Sequence, residues 1–208
     1  MLPIAAEGWG FILVPLVLAV LLAWTGWIRS SLLLGLVTAF MAFFFRDPER
    51  VAPAVPGAIL APADGRVVDV RAAVNDPFVG AAQAVSIFLS PLDVHVNRSP
   101  LAGLVVGVEY RPGAKLAAYR PEASERNERT TIAIQGETAR VVVRQIAGVL
   151  ARRIVCRIRA GDKLASGERF GLIRFGSRTD LIVPASARLR VRTGDRVLGG
   201  ETVVGVLP

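Results

Sequence analysis

The pair Gly176-Ser177, 31 residues before the last residue, has the composition needed for the chain to cut itself. A serine hydroxyl can add to the carbonyl carbon of the preceding residue, and glycine leaves that carbonyl open and tolerates a strained backbone. The N-to-O acyl shift gives an ester, and β-elimination of the ester breaks the chain. The new terminal residue then loses ammonia and becomes a pyruvoyl group, a ketone made from the chain itself. Gly-Ser is also a common turn pair, so the rest of the sequence must decide between these interpretations.

The single histidine, His95, lies between Asp93 and Asn97 in a short polar stretch. Alternate side chains of an extended segment share one face, so we expect these three side chains on the same side. An imidazole can take a proton near neutral pH and return it later, as a serine nucleophile requires. The alternative is a buried histidine with only a structural part.

The apolar residues that raise the mean hydropathy to +0.48 are concentrated at the N-terminus. Residues 9–27 and 32–45 carry no charge, and they predict two apolar helices joined by a turn at residues 29–31. A helix needs about 20 residues to cross a bilayer core, so the first is long enough and the second favours a shallow or re-entrant hairpin. No basic start or convincing cleavage site supports a signal peptide, so we expect a retained anchor.

The net charge of +8 rests almost wholly on arginine, since Lys115 and Lys163 are the only lysines. A basic surface suits nucleic acid or an anionic bilayer, and the apolar N-terminus favours the bilayer. Arg46 and Arg50 after the second apolar run place the rest of the chain on the cytoplasmic side of the cell membrane. Arginines on solvated strand faces are the alternative interpretation of the charge.

From residue 51 onward the sequence predicts short strands separated by glycine and proline, for example residues 65–70, 85–89 and 139–143. Alternating and β-branched residues are typical of strands, and no long amphipathic helix interrupts them. We therefore expect a mainly β domain at residues 51–208, preceded by a membrane-anchoring helical hairpin at residues 1–50.

Residues 161–168 recur as residues 194–201, with the pattern Gly-Asp-basic-apolar-x-x-Gly-Glu in both copies. Each copy predicts a turn, a short strand and a second turn. The unit resembles the hairpins of biotinyl- and lipoyl-carrier domains, which form a flattened barrel-sandwich. Lys163 lies beside the turn in only one copy, so we do not expect a carried cofactor.

Metal chemistry has no visible basis in the sequence. One histidine and one cysteine, Cys156, fall short of the usual ligand sets, so no metal is expected. Cys156 has no neighbouring base and is expected to be a buried strand residue.

Six blocks of the sequence resemble, in order, those of the phosphatidylserine decarboxylase family, in its short prokaryotic, pyruvoyl-dependent form. The similarity spans about residues 40 to 208. The blocks are residues 44–50, 61–65, 91–98, 127–129, 145–156 and 167–180.

The resemblance implies cleavage at Gly176-Ser177 into a β chain, residues 1–176, and an α chain, residues 177–208, that starts with the pyruvoyl group. It also implies that Asp64, His95 and Ser177 are catalytic, with Asp64 bonded to the imidazole and orienting it. Without that resemblance Asp64 reads as an ordinary turn aspartate.

Longer relatives carry two histidines three positions apart, where this chain has His95 and Arg98. His95 must then serve both self-cleavage and decarboxylation, or Arg98 or water must take part. Arginine does not act as a base at its usual pKa, so we expect Arg98 to bind an anionic group of the substrate. The resemblance also suggests that residues Asn127, Glu128 and Arg129 contact the substrate head group or the processing site, although a solvated loop is the alternative.

The implied reaction converts phosphatidylserine to phosphatidylethanolamine and CO2 through a Schiff base with the pyruvoyl ketone. A related serine lipid, such as an archaeal ether lipid, would present the same head group. The competing functions are a membrane-anchored barrel-sandwich adaptor without catalysis and a self-processing serine peptidase. The expected partners are the lipid, an anionic membrane and the two chains of one precursor; a homodimer stays open, and nucleic acid is not expected.

Overall fold

The computed structural model describes residues 3–120, 122–149, 153–174 and 176–208. The chain forms two units, residues 1–49 and residues 50–208.

The N-terminal unit is a pair of apolar helices, α1 (Trp9–Trp24) and α2 (Ile28–Phe44). The predicted helices are present, but the prediction that residues 29–31 form the turn is wrong. The chain turns at Gly26, whose φ of +83° suits glycine, and α2 begins one turn earlier than expected. Arg29 and the two serines that follow it are therefore in the first turn of α2.

Large apolar side chains of this unit are exposed along both helices, including Val20, Leu32 and Leu36, each more than 60% exposed. The segment Ala6–Trp24 is long and apolar enough to cross a membrane by length and composition. Helix α2 has 17 residues, or about 26 Å at 1.5 Å per residue, somewhat less than the ~30 Å core of a bilayer. These features favour association of the N-terminal unit with a membrane.

The second unit is mainly β, as the sequence predicts, and its described residues contain fourteen strands and one short helix, α3 (Ala123–Arg126). The strands are β1 (Ala58–Leu60), β2 (Gly65–Asp76), β3 (Gly80–Leu89), β4 (Val96–Arg98), β5 (Gly103–Arg111), β6 (Arg129–Gly136), β7 (Arg140–Ala147), β8 (Ile154–Cys156), β9 (Lys163–Leu164), β10 (Arg169–Ile173), β11 (Ser177–Pro184), β12 (Arg188–Leu189), β13 (Arg196–Val197) and β14 (Val203–Val206).

Antiparallel pairing joins eight strands in the order β13-β2-β3-β11-β7-β6-β5-β9. Two further sheets have the orders β1-β14-β12 and β4-β10-β8. The strands fall into two equivalent sets. Strands β1, β2 and β3 correspond to β4, β5 and β6, and strands β11, β12, β13 and β14 correspond to β7, β8, β9 and β10. With this correspondence the strand orders of the two sets are the same. The unit is thus an internal duplication, in which one copy is continuous and the other is split around it.

The sequence repeat falls on the two edges of the large sheet, at β9 and β13. Both copies form the same turns: Gly161 and Gly194 have φ of +98° and +100°, and Gly167 and Gly200 have φ of +76° and +80°. The predicted barrel-sandwich hairpins are therefore present in duplicate. The step from β10 to β11, where Gly176-Ser177 lies, carries the chain from the continuous copy back to the split copy.

A buried apolar core lies on one face of the large sheet and includes Val143 of β7 and Leu181 and Val183 of β11. Side chains alternate along a strand, so Ser177 and Thr179 lie on this same face of β11. Both are fully buried. The polar residues at the start of β11 thus continue the line of core residues toward the end of the sheet.

Candidate active site

The Gly176-Ser177 bond lies at the start of β11, in the middle of the large sheet. Gly176 has a left-handed φ of +61°, and Ser177 pairs with Leu89 of β3 on one side and Ala147 of β7 on the other. Ser177 is fully buried, and its Oγ makes no hydrogen bond with a described residue. A buried hydroxyl without a partner is costly, so this serine is placed for something other than stability. Phe175, on the other side of Gly176, lies outside the described residues, as do residues 150–152.

Gly148 packs directly against the carbonyl of Gly176. A Cβ built on Gly148 would lie 2.2 Å from that carbonyl oxygen and 3.2 Å from the Cβ of Ala118. A real Cβ does not approach an oxygen so closely, and only glycine fits here. The close contact fixes the position of the carbonyl that Ser177 would attack.

His95 directly precedes β4 and is fully buried. Its carbonyl oxygen accepts a hydrogen bond from Ile173 N at 3.3 Å, four residues before Ser177. The imidazole Nδ1 lies 2.9 Å from the carbonyl oxygen of Asp93. The Asp93 carboxylate in turn accepts hydrogen bonds from the backbone and hydroxyl of Ser90, which hold this turn in place.

Asn97 connects the strand that follows His95 with the strand that contains Ser177. Its Nδ2 donates to Thr179 Oγ1 at 3.1 Å, and its Oδ1 accepts from Gln145 Nε2 at 2.8 Å. Thr179 is two residues from Ser177, and His95 is two residues from Asn97. If the extended backbone continues through His95, its side chain shares a side with Asn97, which is bonded to β11. A direct contact between His95 and Ser177 remains a prediction.

Asp64 is 5% exposed and is bonded to Arg50. The guanidinium donates to both carboxylate oxygens at 2.6 and 2.7 Å, and Gly199 N donates to Oδ1 at 2.8 Å. The expected hydrogen bond from Asp64 to His95 is absent among the described residues, because the carboxylate is bonded to Arg50 and Gly199 instead.

The loop that contains Asp64 is nevertheless bonded to the segment that contains His95. The carbonyl oxygen of Pro62 accepts from Arg98 N at 2.9 Å and from Asn97 Nδ2 at 3.4 Å. Backbone hydrogen bonds also join Gly200 N to the oxygen of Ala61 at 2.8 Å. The three predicted catalytic residues therefore lie on segments that are hydrogen-bonded to one another in series.

Arg98 is 3% exposed and lies on the side of β4 opposite to Asn97. Its Nη1 donates to the oxygen of Gly167 at 3.2 Å, and a Cβ built on Gly200 would lie 2.7 Å from its Cδ. Arg98 thus packs between the second turns of the two repeat copies. Its expected contact with an anionic substrate group remains a prediction.

Asn127 is 1% exposed, and its amide is fully used within the protein. Its Nδ2 donates to the oxygens of Leu116 and Ala147 at 2.8 and 2.7 Å, while its Oδ1 accepts from Leu116 N at 2.9 Å. Since Ala147 is the pairing partner of Ser177, the structure brings Asn127 close to the predicted cleavage site. This geometry favours positioning of the site over contact with a substrate.

Glu128 and Arg129 lie farther along the same segment. Glu128 Oε2 is 3.7 Å from Lys115 Nζ, and Arg129 Nη1 donates to carbonyl oxygens of α3. Burial lowers the pKa of the Arg129 guanidinium, and the positive charges of Arg111 and Arg144 lower it further. Both side chains thus contact other residues of the protein, and neither has a described contact with Ser177.

A cavity of about 170 Å³ adjoins Gly176. Its walls are mainly apolar and come from three segments: Phe88 and Pro91, Ala117 to Tyr119, and Val149. The Phe88 and Tyr119 rings meet edge to face at 6.3 Å. The cavity offers an approach to the cleavage site from the end of the sheet. Across the described chain, no group of three or more His, Cys, Asp or Glu side chains is placed to hold a metal.

Comparison with known proteins identifies the family of this chain. A family model described as phosphatidylserine decarboxylase matches residues 37–205. The chain belongs to the phosphatidylserine decarboxylase family. Relatives named phosphatidylserine decarboxylase proenzyme are 50% identical over 207 residues in Symbiobacterium thermophilum, covering 99% of this chain and 96% of the relative, and 43% identical over 206 residues in Chlorobium phaeobacteroides, covering 95% and 96%. A relative with the same name in Salinibacter ruber is 50% identical over 175 residues, covering 82% and 77%.

Membership of the phosphatidylserine decarboxylase family confirms the expected family and shows that the chain is an enzyme, which sets aside the adaptor without catalysis. The word proenzyme in the names of these relatives agrees with maturation from a precursor.

Sequence reasoning missed several residues of the site. The sequence assigns Arg50 to a family block and to the basic residues that set membrane orientation, and Gly148 to a family block, but it predicts no contact for either. The sequence signal for both is their place inside the blocks at residues 44–50 and 145–156, but their contacts depend on the tertiary fold. Arg178 and Asp180, which directly follow the cleavage site, were also not singled out.

Proposed function

We propose that the chain is a self-processing, membrane-associated decarboxylase that converts phosphatidylserine to phosphatidylethanolamine and CO2, with a pyruvoyl group formed from Ser177. The observation that carries the proposal is the Gly176-Ser177 junction itself. It combines a left-handed glycine, a buried serine hydroxyl without a described partner, and a carbonyl held against Gly148. These features fit a pyruvoyl group that forms from Ser177 within the folded protein.

Self-cleavage begins when Ser177 Oγ adds to the carbonyl carbon of Gly176 and gives its proton to His95. As the ester forms, the carbon–nitrogen bond breaks and the released amine of residue 177 takes up the proton from His95. Ser177 then loses its α-hydrogen and its bond from Cβ to Oγ, which releases the carboxylate of Gly176. The remaining dehydroalanine tautomerises to an imine, and water hydrolyses the imine to the pyruvoyl ketone with loss of ammonia. The net change is one water consumed and one ammonia released.

Asp64 acts in this scheme through its position. It is fixed by Arg50 and Gly199 on a loop bonded to the segment of His95. In this arrangement the Arg50 guanidinium balances the charge of the carboxylate. A carboxylate that moved to His95 would favour the imidazolium that forms when Ser177 gives up its proton. A direct bond to His95 requires the carboxylate to move away from Arg50.

The pyruvoyl ketone supplies an electron sink for the loss of CO2 from a bound amino acid head group. His95 Nε2 is the group assigned to return a proton to the substrate carbon that loses CO2. With a single histidine in the chain, the same imidazole serves cleavage and turnover. The apolar cavity beside Gly176 is where the substrate would approach residue 177.

The membrane part of the proposal has its support in the N-terminal unit. Segment Ala6–Trp24 is long and apolar enough to span, and a lipid substrate requires access to a bilayer. We place the second unit on the cytoplasmic side. The support is Arg46 after α2, since Arg50 is neutralised by Asp64.

Intact mass spectrometry of the purified protein tests the proposal. The expected result is a β chain ending at Gly176 and an α chain beginning with pyruvoyl, together with CO2 release from phosphatidylserine in mixed micelles. Ser177→Ala should remain full length and inactive. A full-length chain in an active preparation, or full activity of Ser177→Ala, would exclude the mechanism. Parallel assays with a serine ether lipid measure the specificity for the lipid backbone.

A further inference from the structure

Cleavage at Gly176-Ser177 turns the start of β11 into a chain end. Chain ends fray unless side chains or backbone bonds hold them. Here the end is residue 177 itself, the residue on which the proposed reaction depends. The residues that directly follow it therefore decide whether the reactive group keeps its place.

Arg178, the second residue of the α chain, has a guanidinium that is 2% exposed. Its Nη2 donates to Ser86 Oγ at 2.6 Å, and its Nη1 donates to the oxygen of Arg120 at 3.3 Å. Its Nε donates to Asp180 Oδ1 at 2.6 Å. Ser86 and Arg120 both belong to the β chain, so the Arg178 side chain makes two hydrogen bonds from the α chain to the β chain.

Asp180 adds a third link between the two chains. Its Oδ2 accepts a hydrogen bond from Ser124 Oγ at 2.7 Å, and Ser124 also belongs to the β chain. On the opposite face of β11, Thr179 Oγ1 accepts from Asn97 Nδ2 at 3.1 Å. The first three residues after Ser177 are thus bonded to the β chain on both faces of the sheet.

This buried ion pair is not needed for a packed core. Desolvation of two charges often outweighs their attraction, and an apolar pair of the same volume is frequently as stable. The planar fork of arginine, however, holds several acceptors in one fixed arrangement. Arg178 and Asp180 lie on the face of β11 opposite to Ser177, so they do not touch the reacting atoms.

The same network reaches the wall of the cavity at Gly176. Arg120 directly follows Ala117 to Tyr119, which line that cavity, and Ser124 lies in α3 just beyond. Arg178 therefore fastens the cut end and the cavity wall to each other.

We propose that Arg178 is a positioning residue for turnover, which anchors the α-chain end to the β chain after self-cleavage. This inference rests on the proposed cleavage at Gly176-Ser177. Before the cut the peptide bond itself restrains residue 177, and the anchor is redundant. After the cut the anchor keeps residue 177 in register between β3 and β7.

The test compares Arg178→Lys with Arg144→Lys. The control residue lies on β7 and pairs in register with Asp180, but its ion pair with Asp76 at 3.0 Å stays within the β chain. Intact mass gives the fraction of mature α chains, and kcat is calculated per mature chain. KM is measured on the same preparation. Hydrogen exchange of residues 178–184 is measured for cleaved protein and for the same substitution in an uncleaved Ser177→Ala background.

Arg178→Lys should still cleave, and its kcat per mature α chain should fall by about 10- to 100-fold with KM unchanged, as expected for a displaced reacting group. Exchange of residues 178–184 should accelerate in the cleaved variant and not in the uncleaved background. Arg144→Lys should match the wild type in both measurements.

A wild-type kcat per mature chain in Arg178→Lys, or equal acceleration of exchange with and without the cut, would overturn the anchor. If Arg178→Lys does not accumulate, Ser86→Ala removes one acceptor of the guanidinium and is judged by the same outcomes. A wild-type α chain that begins with an intact serine would overturn the proposed cofactor, while hydrogen exchange still tests the anchor. An uncleaved wild type would overturn both.

Discussion

Arg50 holds the carboxylate of Asp64 through two hydrogen bonds of 2.6 and 2.7 Å, with both side chains more than nine-tenths buried. Gly199 closes the arrangement, because its oxygen accepts from Arg50 at 2.7 Å and its N–H donates to Asp64 at 2.8 Å. The family blocks at residues 44–50 and 61–65 and the repeat copy at residues 194–201 therefore contact one another at this ion pair. The loop of Asp64 owes its position to this pair.

Arg50→Met should destabilise the uncleaved Ser177→Ala protein by about 3–5 kcal/mol, because it leaves a buried carboxylate without its partner. Adding Asp64→Asn should recover part of this loss. The measurement is denaturant unfolding in detergent. Arg71→Met is the control: its ion pair with Asp69 is exposed, and its loss should cost at most about 1 kcal/mol. Equal stability of Arg50→Met and its parent would show that the pair does not hold the loop.

Gly148→Ala should block or strongly slow self-cleavage, because the added methyl would lie 2.2 Å from the carbonyl oxygen of Gly176. Gly107→Ala is the matched control, since a Cβ there meets nothing within 4 Å. The fraction of cleaved chain is followed by intact mass after synthesis. Cleavage of Gly148→Ala at the wild-type rate would contradict the close approach.

His95→Ala should remain uncleaved because it removes the base assigned to Ser177. Imidazole added at high concentration should restore some cleavage by filling the space left by the ring. After the imidazole is dialysed away, the cleaved variant should be inactive, and imidazole should restore turnover. A cleaved His95→Ala protein that is active without imidazole would show that another group serves the second step.

Asn127→Ala should destabilise the Ser177→Ala precursor by about 1–3 kcal/mol, because backbone groups of Leu116 and Ala147 lose their buried partner. When Ser177 is retained, the Asn127→Ala variant should mature more slowly, and the KM of its mature form should be unchanged. A higher KM at unchanged stability would instead support direct contact between Asn127 and the substrate.

Much of the fold was predictable, because its signals are local. Uncharged runs predicted the two helices, and repeated glycines at fixed offsets predicted the duplicate turns near Gly161 and Gly194. The helical turn was misplaced because polar Arg29 was given more weight than Gly26, whose left-handed φ ends α1. The split duplication was not predicted, because strand order depends on pairings between distant segments.

The sequence alone determined the chemistry available to this protein: one serine after a glycine, one histidine, and an apolar N-terminus. Only the tertiary structure decided which groups meet. It paired Asp64 with Arg50, placed Gly148 against the Gly176 carbonyl, and linked Arg178 to Ser86 across the proposed cleavage site. The physical reason is that residue type sets what a side chain can do, whereas contacts between segments far apart in the chain depend on the register of a sheet that all the strands form together.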